Sequence, residues 1–309
     1  MKNALIQYWK IFQKEGLRQT IWSFYSYYYT KYKTKNLDKQ TPLKINLDDR
    51  EIFVNPNDKG LSTELIVFGS HEPKTTEFIK KYVKKNMVCL DVGANIGYYS
   101  TLFSNLIGND GKIISIEPSP VNFQYLEQNL ELQNLKNFIL LNIACGDSNK
   151  HVDFHLNQSG NKSKIVSDEN SDDIISVKVK TLDELSEDLK LEQIDYLKID
   201  VEGYEWEFIN GAKNTIENFK PTIQIEFHRS IGNKLKEIVD FLILNNYKII
   251  FNDIGGDYGN IFSKNNFKNY LITQINDWSI IPKTQNSFKI IAEYHEMGER
   301  EVKTSKNYT

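Results

Sequence analysis

Two cysteines in 309 residues are too few for a disulfide framework or a thiolate metal cluster. Cys89 and Cys145 fall in apolar runs far apart in the chain, where a thiol packs as a small core residue. No run of about 18 apolar residues occurs, so no membrane-spanning helix is expected. The N-terminus lacks the apolar core of a signal peptide, which reads as a cytoplasmic protein. Neither charge sign dominates: 38 basic residues meet 41 acidic ones, for a net charge of -3. Bulk attraction to nucleic acid is therefore absent, and no nucleic-acid partner is expected. Two phosphate-cradling signatures are missing as well. The G-x-G-x-x-G of dinucleotide sites and the G-K-[ST] that closes a Walker loop occur nowhere near the glycine-bearing turn described next.

That turn lies in Val88 to Ser100, V-C-L-D-V-G-A-N-I-G-Y-Y-S. A short apolar run ends in Asp91, Gly93 and Gly97 follow, and a helical pattern runs from Tyr98 to Ile107. Strand, tight turn and helix start are implied, with glycines letting the backbone pass close to a ligand. An acid at the head of D-x-G-x-x-x-G disfavours a phosphate and favours a cationic or amine-bearing ligand. The next apolar strand, Lys112 to Ile116, ends in Glu117-Pro118-Ser119-Pro120. An acid at the second strand's end suits the two hydroxyls of a ribose, and Pro120 suits a helix start.

Further along, Phe138 to Ile143 reads as a third strand, and Ala144 after it is small enough for a flat ring to lie against. His151 to Leu156 and Ile174 to Val179 read as additional strands. Ser159 to Asp173 is polar and reads as a loop that can close over a site, with Asn161 and Ser163 as candidate substrate contacts. The fourth core strand, Ile194 to Asp200, runs into D-V-E-G-Y-E. Lys198, Asp200 and Glu202 share one parity, and charges there are costly unless paired or used. Gly211-Ala212 is read as continuing a helix to about Phe219. Thr222 to Phe227 is the fifth strand, with Glu226 and His228 at its end; His228 is a candidate proton acceptor near neutrality. Phe288 to Ala292 reads as a last, antiparallel strand. Leu43 to Val54 alternates as a hairpin, and Glu64 and Glu72 fall near the expected site entrance.

Residues 1–40 differ in kind. They hold ten Tyr, Trp and Phe residues and eight basic side chains against two acidic ones. Two readings stay open: a helical pair packed on the core or on a second copy of the chain, and peripheral contact with the inner face of a membrane.

With these motifs in hand, the chain resembles the FkbM family of class I methyltransferases. The resemblance rests on D-V-G-A-N-I-G (Asp91 to Gly97), I-E-P (Ile116 to Pro118), V-K-T-L-D-E-L (Val179 to Leu185), L-K-I-D-V-E-G-Y-E (Leu197 to Glu205) and P-T-I-Q-I-E (Pro221 to Glu226). It implies an α/β fold with a Rossmann-like, mostly parallel seven-stranded sheet covered by helices on both faces. The expected division is an N-terminal helical extension over 1–45, a cap and entrance segment over 46–85, the methyltransferase domain over 86–295 and a polar tail over 296–309. It implies S-adenosyl-L-methionine as cofactor, bordered by Asp91, Gly93, Asn95 and Gly97, with the ribose at Glu117, Pro118 beside it, the adenine near Ala144 and Asp200 at the reacting end. It implies O-methylation of a sugar or related polyhydroxylated acceptor, in surface glycan synthesis. Asp200, Glu226 and His228 are the catalytic candidates, supported by Glu202; Glu64, Glu72, Asn161 and Ser163 are the substrate candidates. No metal set is assigned, although Asp200 alone suits either the cofactor ammonium or a divalent ion. The alternative from another class is a non-catalytic cofactor-binding scaffold of a glycan assembly complex. A nicotinamide dehydrogenase is disfavoured by the glycine spacing.

Overall fold

The computed structural model describes residues 41–47, 49–133, 135–156, 164–165, 174–253 and 287–295, with scattered positions between 21 and 37. Strands β1 (Leu43–Leu47) and β2 (Arg50–Val54) form the expected antiparallel hairpin, with Leu43 opposite Val54. A helix over Leu61–Phe68 follows, which the sequence reading did not anticipate; Gly69 ends it in the left-handed region. A second helix, Pro73–Tyr82, opens with proline at its first turn, where a missing N–H costs nothing.

The strand, turn and helix motif comes next: β3 (Val88–Val92), helix Tyr98–Ile107, β4 (Lys112–Ile116), helix Pro120–Glu131 and β5 (Phe138–Leu141). Ser119 caps the Pro120 helix by accepting from the Asn122 amide. β5 stops at Leu141, two residues before the expected end; Ala144–Cys145 instead forms β6 in a second sheet with β7 (Lys150–His155), β8 (Lys164–Ile165) and β9 (Ile174–Lys180), ordered β6-β9-β7-β8. The chain then re-enters the main sheet as β10 (Tyr196–Ile199), β11 (Thr222–His228), β12 (Tyr247–Asn252) and β13 (Ser287–Tyr294). The single helix expected through Gly211 is two, Glu205–Asn210 and Lys213–Phe219. Gly211 sits so close to Gly146 that an added Cβ would lie 1.9 Å from the Gly146 carbonyl oxygen, and the chain bends there instead of carrying a turn through.

Among the described residues the main sheet has seven strands in the order β12-β13-β11-β10-β3-β4-β5. β10, β11, β3, β4 and β5 pair in parallel, and β13 inserts antiparallel to both neighbours. This is the mostly parallel α/β sheet implied by the motifs. Strand parity divides the core. Leu90, Val92, Ile114, Ile116, Leu197 and Ile199 face one helical layer through Phe208, Ile216 and Leu242. Cys89, Ile113 and Tyr196 face the other through Leu102, Phe103 and Leu126, together with Ile52, Val54, Leu65 and Ile79. Both cysteines are buried and unbridged. Because the chain leaves β3 toward β4 on one side and returns as β10 on the other, a crevice opens at their carboxyl ends, where such sheets bind ligands.

One side chain ties the hairpin to that crevice. Asn129, wholly buried, donates to the carbonyls of Phe53 and Ile96 and accepts from the Phe53 amide. Asn129→Ala would strand these backbone groups, each costing about 1–3 kcal/mol when left unpaired. We expect urea unfolding to show a loss of roughly 2–4 kcal/mol.

Positions 28–34 are helical, and Tyr25 and Tyr29 stack with ring centroids 5.6 Å apart. Positions 1–20, 22–24, 27, 36 and 38–40 of the N-terminal extension, the Asn161 and Ser163 loop positions and the tail over 296–309 lie outside the described residues. Among the described residues no helix is long and apolar enough to cross a membrane.

Candidate active site

The site is built around the turn after β3. Gly93 holds φ +75°, and a Cβ there would lie 1.7 Å from the carbonyl oxygen of Asp200. Only glycine lets the two strand ends meet this closely. The Gly93 and Ala94 amides both donate to the Ile116 carbonyl. Asp91 is fully buried beneath the turn; its carboxylate accepts from the Ser100 hydroxyl at 2.6 Å and faces Lys198 Nζ at 3.2 Å. Lys198 also donates to the Gly93 carbonyl at 3.1 Å and lies 3.6 Å from Asp200. Burial pulls the Lys198 pKa down, but Asp91 and Asp200 outweigh it and raise it.

Two hollows open above this floor. The first has an open volume of about 620 Å³ and is walled by Gly93, Asn95, Ile116, Glu117, Pro118, Ala144, Phe154, Asp200, Glu202 and Tyr204, among others. Glu117 is 5 % exposed, and its two oxygens accept from the Asn95 amide at 2.8 Å and the Ser119 amide at 2.9 Å. Burial pushes its pKa up to about 7 against those two hydrogen bonds. The second hollow, about 550 Å³, is walled by His71, Glu72, Tyr98, Tyr99, Lys198 and Glu226. Gly93, Asn95, Asp200 and Glu202 line both, so the two hollows share a wall at the tips of β3 and β10.

Carboxylates crowd that wall. Glu205 accepts from His228 Nδ1 at 2.6 Å; Nε2 of the same ring lies 3.3 Å from Glu202 and 3.8 Å from Glu226. Burial lowers the His228 pKa, but the Glu205 hydrogen bond and the charges of Glu226, Glu205 and Asp200 prevail and lift it to about 10. The ring therefore carries a proton at neutral pH when nothing else neutralises these acids, and the expectation that it acts as a free base does not fit this setting. Burial and the Asp200 charge push Glu202 up to about 8, and burial and Glu226 raise Asp200. Glu226 goes the other way: burial opposes it, but Lys289 at 2.7 Å holds it ionised. Lys289 is 4 % exposed and also bonds Glu72. Glu72 in turn meets His71 Nε2 at 3.1 Å, and His71 Nδ1 meets Glu64 at 2.9 Å. Seven carboxylates (Glu64, Glu72, Asp91, Asp200, Glu202, Glu205, Glu226) thus share four cationic side chains (His71, Lys198, His228, Lys289).

Of the residues singled out from sequence, Gly93, Asn95, Glu117, Pro118, Ala144 and Asp200 meet on the first hollow, and Glu72, Asp200, Glu202 and Glu226 on the second. Asp91, Gly97 and His228 line neither: Asp91 lies under the floor, Gly97 starts the Tyr98 helix against Leu126, and His228 stands next to Glu202 and Glu226 without lining either hollow. Glu64 reaches the second hollow only through His71. His71, Lys289, Glu205 and Tyr99 escaped sequence reading. The available signals were the parity of Lys289 within its apolar strand, the His71-Glu72-Pro73 run and Glu205 in D-V-E-G-Y-E.

A parallel sheet with one inserted antiparallel strand, a glycine turn at its switch point and an acid closing the second strand describe a methyltransferase of the class I fold. The Methyltransferase FkbM domain matches residues 91–249, and the chain belongs to that family. It is 26% identical over 164 residues to the Hexuronic acid methyltransferase AglP of Haloferax volcanii, covering 53% of this chain and 65% of that one. It is 30% identical over 160 residues to Methyltransferase sdnD of Sordaria araneosa, covering 41% and 61%. The chain spans less than two thirds of the length of these curated relatives. A solved structure of Methyltransferase FkbM from Methylobacillus flagellatus superposes with a TM-score of 0.33 at 15% identity, over 53% of this chain and 41% of that one.

Proposed function

We propose that this methyltransferase uses S-adenosylmethionine in the first hollow and methylates a hydroxyl of a sugar or similar polyhydroxylated acceptor in the second. The shared wall of the two hollows carries the reading: a donor in one and an acceptor in the other would meet across Gly93, Asp200 and Glu202. The residues suit the cofactor. Glu117 faces the first hollow with a carboxylate able to take the ribose hydroxyls, Ala144 and Phe154 offer a flat apolar wall, and the excess of acid suits a ligand bearing an ammonium and a sulfonium. When bound, S-adenosylmethionine supplies a methyl group on a positively charged sulfur, which departs as a neutral thioether.

The chain's own work is alignment and proton transfer. Asp200 and Glu202 accept hydrogen bonds from acceptor hydroxyls, and Glu202 takes the proton released as the oxygen is alkylated. Glu202 is the better base because burial and the Asp200 charge lift its pKa to about 8, whereas Lys198 at 3.6 Å works against the rise at Asp200. Glu226, held ionised by Lys289, and protonated His228 keep the wall in register. A wall rich in acceptors suits neutral hydroxyls, and the name of the hexuronic acid methyltransferase relative supports the sugar class.

Calorimetry with S-adenosylhomocysteine, followed by a methyl-release assay over sugars and lipid-linked glycans, tests this. Binding with turnover on a polyhydroxylated acceptor is the expected result. Binding without turnover on any acceptor would favour the scaffold alternative, and absence of binding would defeat the proposal.

Glu117 makes the binding depend on pH. Its folded pKa of about 7 exceeds the ordinary 4.5, so the folded chain holds a proton there that the unfolded chain releases. That contribution to stability is complete below about pH 4.5 and is lost as pH rises to about 7. Cofactor binding follows the opposite course, since a protonated acid accepts less from the ribose hydroxyls. S-adenosylhomocysteine affinity should rise between pH 6 and 8 and then level. In Glu117→Gln the rise should vanish, with affinity at pH 8 lower by about 10–100-fold.

A further inference from the structure

We infer that Asp200, Glu226 and His228 bind one divalent cation of the Mn²⁺ type beside Asp200, where the two hollows meet. The site adjoins the proposed acceptor position but does not depend on the cofactor reading. One ligand atom from each of the three lies within 4.8 Å of the other two. Ligands about 2.1 Å from a common ion lie roughly 3–4.2 Å apart, so shifts of tenths of an ångström close the set. The histidine is mounted as a metal ligand is. Its Nδ1–H is fixed by Glu205 at 2.6 Å, which turns Nε2 toward the carboxylates, and a carboxylate behind the distal nitrogen fixes tautomer and ring orientation.

The acids around the ring add to this. Glu205 is fully buried, and its Oε2 has no hydrogen-bond partner among the described residues. Buried anionic oxygen without a partner is costly unless positive charge lies nearby. Among the described residues, Asp200, Glu202, Glu205 and Glu226 share the His228 ring, Lys289 and Lys198 as ion-pair partners. The entering ion takes the place of the proton on Nε2, which passes to solvent.

One nitrogen with two carboxylates suits a mid-series ion accepting both donor types, and three protein ligands leave positions for hydroxyls or water. Adjacent hydroxyls of a polyhydroxylated acceptor fit those positions. Glu226 Oε2 is held by Lys289 and Oε1 accepts from Ser287 at 2.6 Å; a carboxylate oxygen has a second lone pair, and Oε1 is the atom 3.8 Å from Nε2.

The test uses the full chain, stripped by chelation, with Mn²⁺ as probe and no cofactor. Electron paramagnetic resonance should show one bound Mn²⁺ per chain, and electron spin echo should show nitrogen coupling from one imidazole. His228→Asn should remove the coupling, and both His228→Asn and Glu226→Gln should weaken binding at least tenfold while S-adenosylhomocysteine still binds. Mn²⁺ that does not bind, or binds the wild-type chain without nitrogen coupling, overturns the inference whatever the variants do. Cofactor binding with no Mn²⁺ site would refute the ion alone. A Mn²⁺ site without cofactor binding would support the ion and refute the proposed function.

Discussion

Gly93→Ala should abolish detectable S-adenosylhomocysteine binding and lower the free energy of unfolding by about 3 kcal/mol or more. Two costs add at this position. A left-handed backbone, φ +75°, costs a residue with a Cβ about 1–2 kcal/mol. The new methyl would also meet the Asp200 carbonyl oxygen at 1.7 Å, and that oxygen belongs to the backbone of the neighbouring strand end, so it cannot swing aside. β3 and β10 must part at their tips, straining the Asp200 amide bond to the Val92 carbonyl and the Lys198 bond to the Gly93 carbonyl. Both hollows lose their common wall together. Gly97→Ala is the informative comparison. Its φ is +87°, but its Cβ would meet a Leu126 methyl at 2.9 Å, the end of a side chain that can rotate away. It should cost about 1–2 kcal/mol and leave ligand affinity within a fewfold. Urea unfolding and calorimetry on both variants check this; equal losses of affinity would place the cofactor elsewhere.

That contrast also shows which parts of the site are legible in the chain and which are not. β3 and β4 are short apolar runs closed by glycine or proline, so the strand ends and the positions of Gly93 and Glu117 can be read locally. Parity puts Asp91 on the face opposite Leu90 and Val92. It does not reveal that Ser100, in the first turn of the following helix, takes its carboxylate down from the hollow at 2.6 Å. The Lys289 contact to Glu72 joins residues 217 positions apart, and it exists because β13 inserts between β11 and β12. Strand order is set by how whole layers pack, so no local pattern announces it. His228 shows the same limit in chemistry. A histidine at a strand end invites the role of neutral base, yet its charge state follows from Glu205, which reaches it from a different element. The helix break at Gly211 likewise depends on the approach of Gly146, 65 residues earlier in the chain.

Glu202→Gln should lower kcat by about 10²–10⁴, the usual contribution of a general base, on the first acceptor that the sugar panel identifies. S-adenosylhomocysteine affinity should fall no more than a fewfold: Glu202 lines the first hollow, but in the proposed pose the ribose is held at Glu117, and Lys198 and Asp91 hold the floor. The side chain is nearly isosteric, and it keeps the φ of +51° that Glu202 already adopts, so no new backbone strain enters. The same substitution should raise Tm. Glu202 stands among Asp200, Glu205 and Glu226, with the imidazole of His228 the cation at 3.3 Å. Above about pH 8, where Glu202 is ionised, removing its negative charge relieves repulsion that the fold tolerates without any packing gain, as residues selected for activity at the expense of stability do. A Tm that falls along with kcat would mean that Glu202 braces His228. A Tm that rises with kcat intact would move the proton acceptor to Asp200, which faces the same two hollows but has Lys198 at 3.6 Å to hold its charge. Only a rise in Tm joined to a fall in single-turnover rate assigns the proton to Glu202.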